Sequence, residues 1–135
     1  MAEAPLVFVV DDDRDFLDLE KAILGSAGYR VTCFADPRAA FDAISSAAPA
    51  ARPRLVVTDL MMRGLDSGFT LAGALKANAE LSSIPVIIVS AVSSQKGFDF
   101  RPRTPADLAA MKADAFFDKP VAPETLLARV RELLR

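Results

Sequence analysis

The sequence predicts a doubly wound α/β domain, a five-stranded parallel sheet with helices on both faces, and three observations predict it. Apolar, β-branched segments alternate along the chain with segments whose apolar residues recur at helical spacing. The connections between them are short, which for strands separated by helices gives right-handed crossovers and a parallel sheet. The strand segments are apolar nearly throughout, as strands covered on both faces are, instead of alternating with polar residues. With 135 residues the chain has the size of a single domain, spanning 1–135, and can bury most of what its unfolded form exposes.

The elements follow in order. Leu6, Val7, Phe8, Val9 and Val10 form the first strand segment. Asp13 is placed to cap the helix after it, in which Phe16, Leu19, Ile23, Leu24 and Ala27 form the expected buried stripe and Gly28 the left-handed residue at the end. Residues 29–34 are a shorter strand. Asp36 and Pro37 supply an N-cap and a proline at the first helical position, with Ala40, Phe41, Ile44 and Ala48 facing inward. Pro49 to Pro53 breaks that helix. Leu55 to Thr58 is the third strand and delivers Asp59 at its end. A turn-rich stretch over 63–68 leads to a helix over 69–79 with Leu71, Ala72 and Leu75 inward. The fourth strand runs to Ser90, residues 91–104 have no clean periodicity and read as a loop, and Pro105 opens a short helix to about Met111. Ala115, Phe116 and Phe117 are the fifth strand, ending at Lys119 and Pro120. Pro123 opens a last helix with Leu126, Leu127, Val130, Leu133 and Leu134 on one side.

Composition excludes several classes. The net charge is −2 and the basic residues are not clustered, so direct nucleic-acid binding is not expected. One cysteine, Cys33, allows no internal disulfide. The apolar runs are far shorter than a membrane span, and the first ten residues lack the basic flank of a signal peptide. A soluble cytoplasmic protein is expected, with no membrane partner.

Four strands end on polar residues: Asp11 and Asp12, Asp59, Ser90, and Lys119. In an open parallel sheet those ends meet at one edge, where such folds place ligand sites. Three carboxylates converging there repel one another unless a cation sits among them. A hard divalent ion with oxygen ligands suits that need, and Mg2+ tolerates few protein carboxylates alongside waters and phosphate oxygens. With its charge screened, Asp59 has the chemistry of a nucleophile toward an activated phosphoryl group. The Ser90 hydroxyl and the Lys119 ammonium are suited to hold the transferred oxygens. Taken singly, these residues also have plainer accounts: the acidic run as a helix N-cap cluster, Ser90 as a strand-end hydroxyl, Lys119 as a solvated cation.

In order, the motifs are Val9-Val10-Asp11-Asp12-Asp13, Val56-Val57-Thr58-Asp59-Leu60-Met61-Met62, Ile88-Val89-Ser90-Ala91 and Asp118-Lys119-Pro120-Val121. Together they resemble the receiver domain of response regulators in two-component signalling, of the stand-alone type, over essentially the whole chain. The resemblance implies a flavodoxin-like strand order of 2-1-3-4-5. It implies a phosphoacceptor that catalyses only its own phosphorylation and dephosphorylation, not an enzyme acting on other substrates. Asp59 would take the phosphoryl group from a sensor histidine kinase or a histidine phosphotransfer protein. Mg2+ would be held by Asp11, Asp12, Asp59 and the backbone carbonyl of Met61, with Ser90 and Lys119 on the phosphoryl oxygens. The Lys119-Pro120 peptide would be cis. Phe116, three positions before the lysine, would be the switch aromatic, although read alone a strand aromatic is ordinary core. Phosphorylation would remodel the face of the fourth helix, fifth strand and last helix toward a downstream protein target, with homodimerisation an open alternative.

The resemblance is interrupted at Arg63, where most such domains carry proline, and at Ser67, an added residue before Gly68. The loop beyond Asp59 is therefore expected to take a different course, after the Met61 carbonyl. The fourth helix is expected to be short. Met61 and Val92, at the positions that tune dephosphorylation, orient no water by hydrogen bonding, so a slow loss of the phosphoryl group is expected. Two other readings remain: a phosphatase of the haloacid-dehalogenase type, from Asp11 and Asp13, and a pseudo-receiver that binds partners without being phosphorylated.

Overall fold

The computed structural model describes residues 4–59, 71–90, 104–106 and 112–134. Five parallel strands, β1 (Leu6–Val10), β2 (Arg30–Phe34), β3 (Leu55–Thr58), β4 (Val86–Ser90) and β5 (Ala115–Asp118), form one sheet in the order β2-β1-β3-β4-β5. The described helices are α1 (Arg14–Ser26), α2 (Pro37–Ser46), α3 (Leu71–Ala77) and α4 (Pro123–Leu133). This is the doubly wound fold and strand order expected from the sequence.

Strand geometry sends successive side chains to opposite faces, and the core divides accordingly. Phe8, Val10, Val56 and Ile88 turn to the face covered by Ala40 and Ile44 of α2 and by Leu71, Ala72 and Leu75 of α3. Val7, Val9, Val57 and Val89 turn to the face covered by Phe16, Leu17 and Leu24 of α1 and by Leu126 and Val130 of α4. The three inner strands β1, β3 and β4 are buried almost throughout, which is why they are apolar in sequence.

Local chemistry sets the helix ends. The Asp13 carboxylate accepts from the N–H groups of Asp15 (3.0 Å) and Phe16 (3.3 Å), and Asp36 accepts from Arg38 N–H (3.0 Å) ahead of Pro37. Gly28 has φ +96°, and the N–H groups of Gly28 and Tyr29 close on the carbonyls of Gly25 and Leu24, a Schellman ending.

Two details differ from expectation. The buried stripe of α1 is Phe16, Leu17, Glu20 and Leu24, while Leu19 is 54% exposed and Ala27 lies on the surface. The inward arc is rotated so that a glutamate, and not a leucine, faces the sheet. Helix α2 ends at Ser46, so Ala48 is exposed ahead of the 3₁₀ turn Pro49–Ala51. Most of the expected 105–111 helix and the 63–68 and 91–104 stretches lie outside the described residues.

At the end of the sheet opposite the strand C-termini, Asp114 ties three elements together. Its carboxylate accepts from Lys76 Nζ of α3 (3.2 Å) and from Val86 N–H at the start of β4 (2.8 Å), and its carbonyl accepts from Arg129 of α4 (3.1 Å).

Candidate phosphoacceptor site

The site begins where the strands stop. Three backbone hydrogen bonds carry the sheet ladder one residue past the strand ends: Asp11 N–H to Phe34 O, Asp59 N–H to Val10 O, and Lys119 N–H to Ser90 O, each 3.0 Å. Asp11, Asp59 and Lys119 are thus held by the backbone at one edge of the sheet, and Ser90 is the last residue of β4, opposite Asp118 in the ladder. Because Val10 pairs with Thr58, Asp11 and Asp59 sit side by side at the ends of adjacent strands.

The Lys119 ammonium crosses from β5 to join them. It donates to Asp11 Oδ2 at 2.6 Å and to Asp59 Oδ2 at 3.1 Å, and it rests over the Phe16 ring of α1, 4.3 Å from the centroid. Asp11 Oδ1 accepts in turn from Asp13 N–H at 2.9 Å. Asp11 and Ser90 are fully buried, Asp59 is 9% exposed, and Asp12 is half-buried beside them.

Burial dominates the titration of Asp11. It pushes the carboxyl up to about 6, against the hydrogen bonds from Lys119 and from Asp13 N–H, which favour the charged form, while the Asp59 charge pushes the same way as burial. Burial also disfavours the Lys119 ammonium, but its bond to Asp11 and the charge and bond of Asp59 outweigh this, and the net shift is upward. The lysine therefore stays charged wherever Asp59 is ionised nearby.

The donor set is oxygen-only, and two of its carboxylates already converge on one cation, the Lys119 ammonium. That suits a hard divalent ion that takes few protein ligands. Among the described residues, no three histidine, cysteine, aspartate or glutamate side chains stand as a group able to hold a metal by themselves. Of the Mg2+ ligands that the resemblance implies, Asp11 and Asp59 lie at this edge, with the half-buried Asp12 next to Asp11 in the chain. Met61, expected to add a carbonyl, and Val92 lie outside the described residues.

The comparisons agree with this geometry. The family model described as "Response regulator receiver domain" matches residues 7–131. The chain belongs to the response regulator receiver domain family. The receiver is 34% identical over 137 residues to the DNA-binding dual master transcriptional regulator RpaA of Synechocystis sp., covering 97% of this chain and 49% of that one. It spans about half the length of the curated relatives it matches. Among solved structures it is similar to the signal receiver domain of a signal transduction histidine kinase from Syntrophus aciditrophicus, with TM-score 0.77 and 29% identity, covering 97% of this chain and 90% of that one. The chemotaxis response regulator CheY4 of Vibrio cholerae shares the fold, with TM-score 0.77 at 24% identity, covering 97% of this receiver and 99% of that chain. Receiver domains act in two-component signalling, and this one has their sheet order.

Of the residues singled out in the sequence, Asp11, Asp59, Ser90 and Lys119 meet at one edge, with Asp12 adjoining. Phe116 is half-buried on the opposite face of the sheet from α1, packed at the margin of the α2 and α3 core. The Lys119-Pro120 peptide is cis. Sequence reasoning missed two neighbours of Lys119 on α1. Phe16 was assigned only to the core, and Glu20 was assigned nothing. Glu20 is 1% exposed, and its Oε2 has no hydrogen-bond partner among the described residues. The available signal was spacing, since Glu20 lies midway between Phe16 and Leu24 at steps of four.

Proposed function

We propose that this receiver is a phosphoacceptor, taking a phosphoryl group on Asp59 from a phosphohistidine of a sensor kinase or a phosphotransfer protein. The observation that supports it best is the half-buried Lys119 ammonium bridging Asp11 and Asp59 at the sheet edge beside Ser90. In this reading an Asp59 carboxylate oxygen attacks phosphorus, the phosphorus–nitrogen bond breaks, and the histidine imidazole leaves. Asp11, Asp12 and Asp59 would hold Mg2+, which would supply positive charge to the phosphoryl oxygens. Lys119 holds one of those oxygens from the β5 side, and the Ser90 hydroxyl another from β4. Output follows by repacking around Phe116 and the face made by β5 and α4, where Phe117, Glu124, Thr125, Ala128, Arg129 and Glu132 line a shallow cleft of about 460 Å³.

The receiver itself engages protein partners and, at a net charge of −2, no nucleic acid directly. The DNA binding named for the Synechocystis relative belongs to a chain of which this match covers 49%. No helix among the described residues is long and apolar enough to cross a membrane, and a cytoplasmic location fits this reading.

The test is intact-protein mass after incubation with acetyl phosphate, a readout that needs no tryptophan. One added phosphoryl group that requires both Mg2+ and Asp59, and is lost in Asp59→Asn, is the expected result. A chain that gains no adduct from acetyl phosphate or from any histidine kinase, and binds no Mg2+, is a pseudo-receiver instead. The label is expected to be long-lived. Its loss within seconds in Mg2+ buffer without a phosphatase would contradict the roles given to Met61 and Val92.

A further inference from the structure

Glu20 is a buried carboxyl in an otherwise apolar helix face. It shares that face with Phe16, Leu17 and Leu24, against strands whose side chains there are valine, leucine and isoleucine. Buried carboxyl oxygens are nearly always hydrogen-bonded, yet Glu20 Oε2 has no partner among the described residues. The charged groups within its electrostatic reach are Lys119, at the end of β5, and Asp11, at the end of β1. Burial pushes its carboxyl up to about 7, the Lys119 charge opposes that, and the Asp11 charge adds to it. One helical turn before Glu20, Phe16 carries the Lys119 ammonium over its ring at 4.3 Å. The ammonium therefore already lies against α1, on the turn next to an unsatisfied acceptor.

Both Asp11 oxygens are in use: Oδ1 accepts from Asp13 N–H and Oδ2 from Lys119. A divalent cation that takes Asp11 as a ligand competes with Lys119 for Oδ2. The displaced bond favours another protein acceptor, because an ammonium pulled from its partner in a part-buried site, its side chain 17% exposed, is only partly repaid by solvent. Lysine has a flexible four-carbon stem and three donors, so it can keep its bond to Asp59 while redirecting a second one.

We propose that Glu20 is a positioning residue for Lys119, its open carboxyl oxygen taking over the hydrogen bond that Lys119 gives to Asp11 when a divalent cation binds Asp11 and Asp59. Pairing with the ammonium ionises Glu20, and its proton goes to solvent. The inference rests on the phosphoacceptor reading, because it needs the cation to bind.

Carbon-13 NMR of the glutamate and aspartate side-chain carboxyls of the full chain, titrated with and without saturating Mg2+, tests it. Without Mg2+ the Glu20 resonance is expected to titrate near 7. With Mg2+ its midpoint should fall by about one unit or more, toward the ordinary glutamate range. A Glu20 midpoint unmoved by Mg2+ while the Asp12 and Asp59 resonances shift overturns this inference alone. If no aspartate resonance responds, the metal reading fails and this inference with it. Glu20→Leu supplies the second arm: it removes the acceptor without leaving a buried charge, and Mg2+ affinity should fall about tenfold, with Glu20→Gln between it and wild type. Equal affinity in all three proteins would assign Glu20 a purely structural role.

Discussion

At the scale of single residues, the buried charges set the pH behaviour of the metal-free protein. Burial holds the Glu20 carboxyl at about 7 in the folded chain against an ordinary 4.5, so the folded chain keeps a proton that the unfolded chain releases earlier. The protonated carboxyl is fully compatible with the fold below about 4.5, and stability falls as pH rises from there through about 7. The loss should reach about 3 kcal/mol above that window. Asp11, raised from 3.8 to about 6, acts in the same direction over a more acid range. Urea denaturation at pH 5 and pH 8 measures this, and Glu20→Gln should flatten the fall between about 4.5 and 7, most plainly above 6, where Asp11 no longer contributes. Lys119→Met is expected to lose about 3 kcal/mol at pH 7, because Asp11 and Asp59 are left facing each other without a cation. Added Mg2+ should restore more stability to that variant than to wild type, and a thermal melt with and without the ion measures the difference. Asp11, Asp59, Ser90 and Lys119 were legible in the sequence because each is the polar residue that interrupts or ends an apolar strand. Glu20 was not, because glutamate is taken as a surface residue unless its spacing is weighed above its charge.

At the scale of elements, end chemistry was read correctly, as were the inward residues Leu71, Ala72 and Leu75 of α3, and the rotation of α1 was not. Asp13, Asp36, Pro37 and Gly28 each act where residue type alone placed them, since capping depends on local backbone geometry. The rotation of α1 depends on what it packs against. Leu17 and Leu19 compete for the inward arc, and only the sheet beneath decides for Leu17. Gly28→Ala should cost about 1 kcal/mol, since a Cβ at φ +96° is strained although the space around it is open, and chemical denaturation would show it. The Asp114 junction leads to a separate expectation. Asp114→Ala leaves Lys76 Nζ and Val86 N–H without that acceptor and should cost about 2 kcal/mol. Because it lies at the far end of the sheet from Lys119, acetyl phosphate should still label the variant at Asp59.

At the scale of the whole molecule, burial grades the sheet from centre to margin. Strands β1, β3 and β4 are buried nearly throughout, while β2 at one margin is half-buried with two exposed residues. Amide hydrogen exchange should therefore be slowest at Val9, Val57 and Ile87 and faster along β2, where opening exposes less apolar surface. Comparable rates on β2 and β3 would show that the sheet opens only as a unit. The parallel, doubly wound sheet followed from the alternation of segments and short connections, a pattern that the chain repeats from end to end, while the strand order came from the resemblance to receiver domains. The course of 60–70 and 91–103 did not follow, since those stretches carry glycine, proline and mixed residues with no single period.

The ladder bonds that continue past the strand ends have a consequence for how such a protein changes over time. Asp11, Asp59 and Lys119 are set in place by main-chain amides that any sequence supplies, donating to the carbonyls of Phe34, Val10 and Ser90. Their mutual placement is inherited from the sheet and does not have to be rebuilt when neighbouring connections are rewritten. Differences such as Arg63 and the added Ser67 can then accumulate in a connection while Asp11, Asp59 and Lys119 keep their alignment. Specificity and chemistry are, to that extent, separately mutable parts of one chain.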